Sequence, residues 1–243
     1  MTAAGHPLVS VAGLSHTYGA GAERVVALRR VDLRLAQGER VAVMGRSGSG
    51  KTTLLNVLAG LGTPSGGRIV IDGHDLARMD RRGRDAYRRD VVGYVWQQPE
   101  DGLLPGLTVL ENVLVPSIGV RRSGPDEVAH AHLLLDAMRL GGRADDRPAH
   151  LSAIETQRLA IAVALANRPR LLLADELTAR LDWTVAREML GDLAALLGQL
   201  GAGAILVTHD RRVARYVDRV LLIRDGVAVP APETGVMAGA VGT

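Results

Sequence analysis

The chain has 243 residues, with 29 basic and 26 acidic side chains, a formal net charge of +3 and no cysteine. A length just below about 250 residues excludes a multidomain machine, and a hydrophobic fraction of 47% excludes a disordered or fibrous chain. The missing cysteines exclude disulfides and thiolate metal sites, and the near balance of charge, with only two tryptophans and four tyrosines, argues against a nucleic-acid partner.

Short apolar runs bounded by glycine or polar residues recur along the chain and predict β-strands. In chain order the predicted strands are Leu8–Leu14, Val25–Leu35, Arg40–Met44, Arg68–Ile71, Val91–Trp96, Leu171–Ala174, Ala204–Thr208 and Arg219–Ile223. Patterns typical of helices lie between them, over Lys51–Leu61, Asp126–Arg139, Thr156–Asn167, Val185–Leu200 and Arg211–Val217. This alternation predicts an α/β fold with a largely parallel sheet, and the crowded early strands predict a small antiparallel β region.

The order of these elements also predicts how the chain is divided. We expect residues 1–229 to form a single domain, in which residues 99–155 make a helix-rich insertion between the early and the late strands. Residues 230–243 are mostly small and show no periodicity, so we expect a mobile tail. The run from Arg78 to Asp90 holds six arginines and three aspartates, which favours a solvated, self-paired helix over a lipid-binding surface.

Hydropathy bears on where the chain works. No apolar run approaches the roughly 20 residues that a membrane span needs. The best candidate, Leu103 to Val120, is interrupted by Glu111, Asn112 and two prolines. The N-terminus lacks the basic start and long apolar stretch of a signal peptide. We therefore expect a cytosolic chain.

A glycine-rich loop joins the predicted strand Arg40–Met44 to the first predicted helix and fits the pattern G-x-x-x-x-G-K-[ST]. In such a P-loop, backbone N–H groups converge on phosphate oxygens, the lysine reaches the terminal phosphates, and the last hydroxyl ligates Mg²⁺. Lys51 is the only lysine of the chain. The predicted nucleotide-binding residues here are Gly45, Arg46, Ser47, Gly48, Ser49, Gly50, Lys51, Thr52 and Thr53.

Two carboxylates follow the apolar run at 171–174, namely Asp175 and Glu176. The carboxyl ends of strands in open α/β sheets face the ligand crevice. Beside a P-loop, Asp175 would hold Mg²⁺ and Glu176 would polarise the attacking water. The alternative is an ordinary strand end with two solvated carboxylates, which the nearby P-loop makes less favoured.

With these motifs and the runs LLPGLTVLENV and LANRPRLLLADE, the chain resembles the ATP-binding subunit of ABC transporters from Leu8 to Val229, particularly subunits of lipoprotein-releasing and macrolide-exporting systems. The resemblance implies a P-loop NTPase core with an α-helical subdomain, and ATP hydrolysis with Mg²⁺. It also implies a head-to-tail dimer with a second ABC ATPase subunit and separate membrane permease subunits, at the cytoplasmic face of the cell membrane. The permease subunits of this family select the cargo, so cargo and direction of transport stay open.

Three further roles come from the resemblance alone. Tyr18 takes the position of an aromatic ring that stacks on adenine, the alternative being a turn tyrosine. Gln97 takes the position of a glutamine that contacts Mg²⁺ and the attacking water and senses the membrane partner, although Gln98 leaves that register open by one residue. His209 takes the position of a histidine that contacts the γ-phosphate, so it joins Glu176 as a catalytic candidate.

The segment from Leu151 to Arg158 departs from the family signature, LSGGQ or LSGGE followed by x-Q-R, because Ala153 and Ile154 replace both glycines. In the family this segment begins a helix whose N–H groups contact the nucleotide held by the other subunit. Three more residues are unusual for the family: Leu177, Arg180 and Val163. The sequence leaves Trp183 undecided between a partner contact and a helix-start anchor.

The nucleotide-binding motifs are intact, whereas the signature that would contact the other subunit's nucleotide is altered. This difference predicts pairing with a non-identical ATPase subunit that keeps the signature, and the alternative is a slow homodimer. Drift in a decaying gene would give the same departures. Two other classes of function stay open: a nucleotide-binding regulatory subunit with little turnover, and an ABC protein of ribosomes or DNA. The chain has no room for the tandem cassettes or long coiled coils usual in the latter class.

Overall fold

The computed structural model describes residues 6–19, 23–118 and 125–230. Within these ranges the strands are β1 Val9–Tyr18, β2 Val25–Leu35, β3 Arg40–Met44, β4 Gly66–Ile71, β5 His74–Asp75, β6 Val92–Val95, β7 Leu171–Asp175, β8 Gly203–Thr208, β9 Arg219–Arg224 and β10 Val227–Pro230. The α-helices are α1 Lys51–Leu58, α2 Arg81–Asp90, α3 Val109–Leu114, α4 Pro125–Ala137, α5 Ala153–Leu165 and α6 Trp183–Leu200. In this part of the chain no helix is both long and apolar enough to cross a bilayer.

The strands form two sheets. The larger has the order β10-β9-β3-β8-β7-β6, in which the five strands from β9 to β6 are parallel and β10 pairs antiparallel with β9. The smaller sheet, in the order β2-β1-β4-β5, is antiparallel throughout. The predicted α/β fold with a small antiparallel region is therefore confirmed.

The parallel sheet is buried on both faces, which explains why its strands are continuous apolar runs. Every residue of β7 and β8 is buried. Alternate residues point to opposite faces: Leu171 and Leu173 join the core formed with α1 and the small sheet, whereas Leu172 and Ala174 join the core formed with α5 and α6. The central strands are therefore covered on one face by α1 and the small sheet and on the other by α5 and α6.

Strand order decides where the functional segments meet. In the register of the sheet, Met44 at the end of β3 pairs with Thr208 at the end of β8, and Asp175 at the end of β7 pairs with Val207. Val95 at the end of β6 pairs with Ala174. The loops after these four parallel strands therefore leave the same edge of the sheet, side by side.

Most predicted elements appear with shifted ends. Helix α1 ends at Leu58, three residues early, and Gly60 follows with φ +69°. The predicted helix Arg211–Val217 is a 3₁₀ helix over Arg211–Tyr216. Helix α2, at Arg81–Asp90, lies within the run predicted as a self-paired helix, whereas helix α3 and the short strands β5 and β10 were not predicted. Of the predicted tail at 230–243, residues 231–243 lie outside the described ranges.

The helix-rich insertion contains α3 and α4, which pack with α5 around a shared apolar core. The basic run at 78–90 forms α2, whose exposed arginines pair with neighbours, Arg88 with Asp85 and Arg89 with Asp90 at 2.7 Å. Tyr87 anchors its inner face by donating to the carbonyl of Leu58 at 2.6 Å. The expected self-paired helix is confirmed.

Candidate nucleotide-binding site

The loop between β3 and α1 depends on its glycines. Gly50 has φ +102°, which L side chains rarely adopt, and a Cβ there would lie less than 3.0 Å from the carbonyl oxygen of Ala27. A Cβ at Gly45 would lie less than 3.0 Å from the carbonyl oxygen of Ile223. Gly50 supplies no side-chain cap to α1, so the first N–H groups of this helix are open to an anion.

Lys51 lies along this loop with only 8% of its surface exposed. Its Nζ donates to the carbonyl oxygens of Gly45 at 3.0 Å and Arg46 at 2.9 Å. These two bonds satisfy the buried ammonium and hold it beside the backbone that would surround phosphate. An arginine would not reproduce this arrangement, because a planar guanidinium differs in size and donor geometry from a compact ammonium.

Thr52 and Asp175 are 123 positions apart in the chain but meet at the end of β7. The Thr52 hydroxyl donates to Asp175 Oδ2 at 2.8 Å. Asp175 is 3% exposed, and its Oδ1 has no hydrogen-bond partner among the described residues. Burial raises the pKa of Asp175, the Thr52 bond lowers it, the Glu176 charge raises it and Lys51 lowers it.

This pair of oxygens fits a magnesium ion. Mg²⁺ is usually held by one or two protein oxygens together with waters and substrate phosphates. The buried, unpartnered Oδ1 of Asp175 and the adjacent Thr52 hydroxyl offer such oxygens. Within the described ranges no group of three or more His, Asp or Glu side chains is placed to hold a metal by itself.

Glu176 and His209 form the second pair of the site. Glu176 Oε1 lies 3.0 Å from His209 Nδ1, and the other oxygen, Oε2, is buried without a partner in the described structure. Glu176 adopts φ +51°, and its N–H donates to the carbonyl of Val207 at 2.9 Å. Non-glycine residues in this region are uncommon and occur often at functional sites. The His209 side chain is 68% exposed.

Tyr18 ends β1 at the rim of the site and is 47% exposed. Its hydroxyl donates to Thr53 Oγ1 at 3.3 Å, and the ring of His16 meets it edge-on with centroids 4.7 Å apart. These contacts orient the ring while leaving much of it open, which favours the stacking interpretation over a plain turn tyrosine. Gln97 lines the cleft and Gln98 does not, which favours Gln97 in the open register.

These residues surround a cleft of about 810 Å³. The predicted residues that line it are Tyr18, Arg46, Ser47, Gly48, Gly50, Lys51, Thr52, Thr53, Gln97, Asp175, Glu176 and His209. Gly45 and Ser49 do not line it and instead line a neighbouring cleft, which shares His209 and part of the loop with it. Four further residues, which the sequence motifs did not predict, also line the cleft: Val25, Val26, Ala27 and Ala179. Only the structure reveals that the first two are accessible to a ligand, because Val25 is 61% exposed and Val26 is 37% exposed.

The altered signature begins α5, where Ser152 is the N-cap. Its hydroxyl donates to Glu155 Oε2 at 2.7 Å, and the Ser152 N–H donates to the same oxygen at 2.8 Å. The Ser152 hydroxyl bond lowers the pKa of Glu155, and Arg143 lies 3.1 Å from its other oxygen. Ala153 is exposed in the first turn, and Ile154 packs on the apolar core of the helical region.

The other unusual residues have structural partners. Leu177 is 5% exposed, and Val163 packs on the same core. Arg180 Nη1 lies 3.2 Å from Glu100, so an exposed ion pair joins the loop after Glu176 to the segment after Gln97. Trp183 starts α6 and packs against Arg212 and Tyr216. Of the two interpretations left open for Trp183, the structure favours the helix-start anchor.

Sequence comparison gives relatives over nearly the whole chain. The ABC transporter family model matches residues 28–179. The lipoprotein-releasing system ATP-binding protein LolD of Hyphomonas neptunium is 39% identical over 222 residues, covering 90% of this chain and 96% of LolD. The macrolide export ATP-binding/permease protein MacB of Brucella abortus is 40% identical over 223 residues, covering 92% of this chain but 34% of MacB.

Structural comparison agrees with the sequence. The dimeric post-hydrolysis state of the ATP-binding cassette MJ0796, bound to ADP and Pi, matches with a TM-score of 0.82 and 37% identity, covering 91% of this chain and 98% of that one. The predicted ABC ATPase fold and the likeness to lipoprotein-release and macrolide-export subunits are confirmed. The chain therefore belongs to the ABC transporter family and is an ATPase of that family.

Proposed function

We propose that the cleft binds Mg-ATP and that its hydrolysis powers a transporter through separate membrane permease subunits. The observation that carries the proposal is the convergence of Lys51, Thr52, Asp175 and Glu176 at one cleft, from segments far apart in the chain. Asp175 and Glu176 each keep a buried oxygen that no described residue satisfies. Buried polar groups are normally hydrogen-bonded, so such exceptions are expected where a ligand completes the site.

The nucleotide would lie along the loop and α1. The N–H groups at the start of α1 and the loop backbone face the phosphates, and Lys51 moves from the carbonyls of Gly45 and Arg46 onto the terminal phosphates. Tyr18, held by Thr53, would stack on the adenine, with Val25 and Val26 extending the apolar surface beside it.

Thr52, Asp175 and Gln97 would hold Mg²⁺, and when bound it would neutralise charge on the phosphates. Hydrolysis would then be an in-line attack of water on the γ-phosphorus, in which the bond to the β–γ bridging oxygen breaks, ADP leaves and the water proton passes to Glu176. Glu176 would orient and polarise this water with Oε2, while Oε1 bonds His209. His209 would contact the γ-phosphate. General-base assistance of this kind contributes about 10²- to 10⁴-fold, so Glu176 carries most of the chemistry among the side chains.

Calorimetry of ATP binding in the presence of Mg²⁺ tests the assignment of the cleft. Lys51→Ala should abolish measurable binding, and Lys51→Arg should restore little of it, because a guanidinium cannot fill the compact site between the two carbonyls. Arg68→Ala is the matched control, since Arg68 is an exposed cation paired with Asp75 and away from the cleft. If Lys51→Ala binds as the parent does, the phosphate assignment is wrong.

The partners follow from the family and are part of the proposal. We expect the chain to dimerise on ATP with a second ABC ATPase subunit and to attach to integral permease subunits as a peripheral protein on the cytoplasmic face of the cell membrane. The similarity to LolD, the ATP-binding protein of a lipoprotein-releasing system, supports a role within such a transporter. Copurification with membranes supports this arrangement, whereas copurification with ribosomes or DNA supports the non-transport class.

We further propose that the second ATPase subunit is non-identical. The first turn of α5 carries a methyl group at Ala153 and a packed β-branched side chain at Ile154, so its backbone cannot approach a phosphate as two glycines would allow. The single hydrogen of the Ser152 hydroxyl is already donated to Glu155 within the same turn. A homodimer would place this altered turn at both nucleotides. A partner with an intact signature would leave one competent site, built from this chain's cleft.

Restoring the two signature glycines distinguishes the heterodimer from the alternative hypothesis, a slow homodimer. In a homodimer, Ala153→Gly with Ile154→Gly should raise ATPase activity markedly, because lost oxyanion donors cost about 10²- to 10³-fold where this has been measured. In a heterodimer whose working site uses the partner's signature, turnover should change only modestly. Strong activation of the chain alone, with no second subunit in the native complex, would contradict the asymmetric pair. A melting curve of the double variant controls for lost packing at Ile154.

A further inference from the structure

A stacked cation lies beside the candidate catalytic residues. The guanidinium carbon of Arg212 is 4.2 Å from the centroid of the Trp183 ring. The ring of Tyr216 meets the same indole at a centroid distance of 6.4 Å and an angle of 69°. Trp183 is the first residue of α6, and Arg212 and Tyr216 belong to the 3₁₀ helix that follows His209. The contact therefore joins two segments that leave adjacent strands.

Arg212 also fixes the residue next to His209. Its Nε donates to Asp210 Oδ1 at 2.9 Å and its Nη2 donates to Oδ2 at 2.7 Å, a two-pronged ion pair. The Arg212 N–H donates to Asp210 Oδ1 at 2.9 Å, and the Asp210 N–H donates to Thr208 Oγ1 at 3.0 Å. The Arg212 bond lowers the pKa of Asp210, which keeps the carboxylate ionised and paired.

The other end of the contact is tied to Glu176. The loop that begins at Glu176 ends at Asp182, whose side chain caps α6 by accepting from the Thr184 N–H at 2.8 Å. Trp183 follows this cap directly and packs on the core of α6. Glu176 and His209 meet at 3.0 Å, so the same two segments touch twice, once at these side chains and once at the stacked pair.

We propose that Trp183 and Arg212 are positioning residues for His209, acting through Asp210. We name this arrangement the Trp183–Arg212 brace. The His209 side chain is 68% exposed, so its placement depends on the backbone on either side of it. The brace fixes that backbone relative to the loop of Glu176. The inference rests on the proposed contact of His209 with the γ-phosphate.

The readout is the preference of the full chain for a γ-phosphate, measured by calorimetry as the ratio of affinities for a non-hydrolysable ATP analogue and for ADP, each with Mg²⁺. His209→Ala sets the full loss of preference, about tenfold or more for a bond to a charged group. Arg212→Gln and Trp183→Leu should each lose most of that preference while the affinity for ADP stays within about twofold of the parent. The double variant should be no worse than either single one, because the two residues act as one unit.

Two variants separate positioning from general structure. Trp183→Phe keeps an aromatic face for the cation and should retain most of the preference. Arg139→Gln removes an arginine paired with Asp192 on the same helix α6, remote from the cleft, and should leave it unchanged. In a Trp96→Phe background Trp183 is the only tryptophan, and its fluorescence should respond to the ATP analogue more strongly than to ADP.

The outcomes distinguish a failure of the brace from a failure of the proposed function. If His209→Ala loses the preference but Arg212→Gln and Trp183→Leu keep it, the brace is wrong and the proposed function stands. If His209→Ala keeps the preference, the assigned role of His209 and the brace both fail, while Lys51→Ala still tests the cleft. Loss in Trp183→Phe equal to that in Trp183→Leu would also overturn the brace.

Discussion

Asp175→Asn should make the nucleotide-free chain more stable and deprive it of its response to Mg-ATP. The parent buries a carboxylate to 3% exposure with one oxygen unpartnered in the described structure. An unsatisfied buried polar group costs about 1–3 kcal/mol, and more when it is charged. The amide keeps an oxygen for the Thr52 hydroxyl and removes the charge. Because its NH₂ also lacks a partner, we expect a net gain of about 1 kcal/mol, or about 2–4 °C in Tm.

The stability difference between Asp175→Asn and the parent should also depend on pH in a defined direction. The folded pKa of Asp175 is raised above its ordinary value of 3.8, so ionisation of this group weakens the fold. Stability from a raised pKa is fully present below the unfolded value and is lost as the pH rises through the folded one. The advantage of Asp175→Asn should therefore be largest near pH 7 and shrink as the pH falls toward 4.

Thermal melts of the parent and the variant, with and without Mg-ATP, provide the measurement. A ligand at about 100 times its Kd adds about 2.7 kcal/mol to the parent, and Asp175→Asn should lose most of this gain. Asp218→Asn is the control of opposite sign, because Arg40 lowers the pKa of Asp218 and pairs with it at 2.9 Å outside the cleft. It should melt slightly lower and respond normally to Mg-ATP. An Asp175→Asn variant that melts below the parent at every pH refutes the reasoning.

Glu176→Gln should keep ATP binding but stop hydrolysis in an assembled transporter that uses this site, and unchanged turnover there would show that Glu176 is not the water-positioning base. Tyr18→Ala should weaken ATP binding by about 1 kcal/mol or more through lost stacking, whereas Tyr18→Phe, which loses only the bond to Thr53, should bind nearly as the parent does; equal losses in calorimetry would exclude stacking. Gly50→Ala should lower both Tm and nucleotide affinity because its Cβ clashes with the backbone of Ala27, while Gly198→Ala, a helical site with open space around it, should stabilise by about 0.5–1 kcal/mol.

Local sequence determined the parts of this structure that depend only on interactions between residues near one another in the chain. The P-loop needs glycines at fixed spacing before a lysine, and that pattern predicted the turn from β3 to α1 at the residues where the structure has it. Continuous apolar runs predicted the buried parallel strands, because strands that are buried on both faces need apolar residues along their length. The short strands β5 and β10, which the apolar runs did not predict, each follow an Asp-Gly pair with positive φ, at 72–73 and 225–226. Such pairs are strong hairpin signals, so these two strands also follow from local sequence.

Element ends were less predictable because caps and packing compete with periodicity. The segment at 211–216 has apolar spacing typical of a helix, but it forms a 3₁₀ helix that Asp210 caps while Arg212 folds back onto the same carboxylate. Helix α3 is short because Pro116 follows it closely. Its Thr108–Glu111 capping box was a local signal for its start.

Only the tertiary structure decided how the candidate residues are paired. The Thr52–Asp175 bond and the Glu176–His209 contact join residues 123 and 33 positions apart, and they exist because the sheet places β3, β8 and β7 side by side. The tertiary structure also places Gly45 and Ser49 in a neighbouring cleft and leaves an oxygen of Asp175 buried without a partner in the described structure. A sequence fixes which side chains follow each strand, but strand order and register determine which of them meet, since both depend on long-range packing.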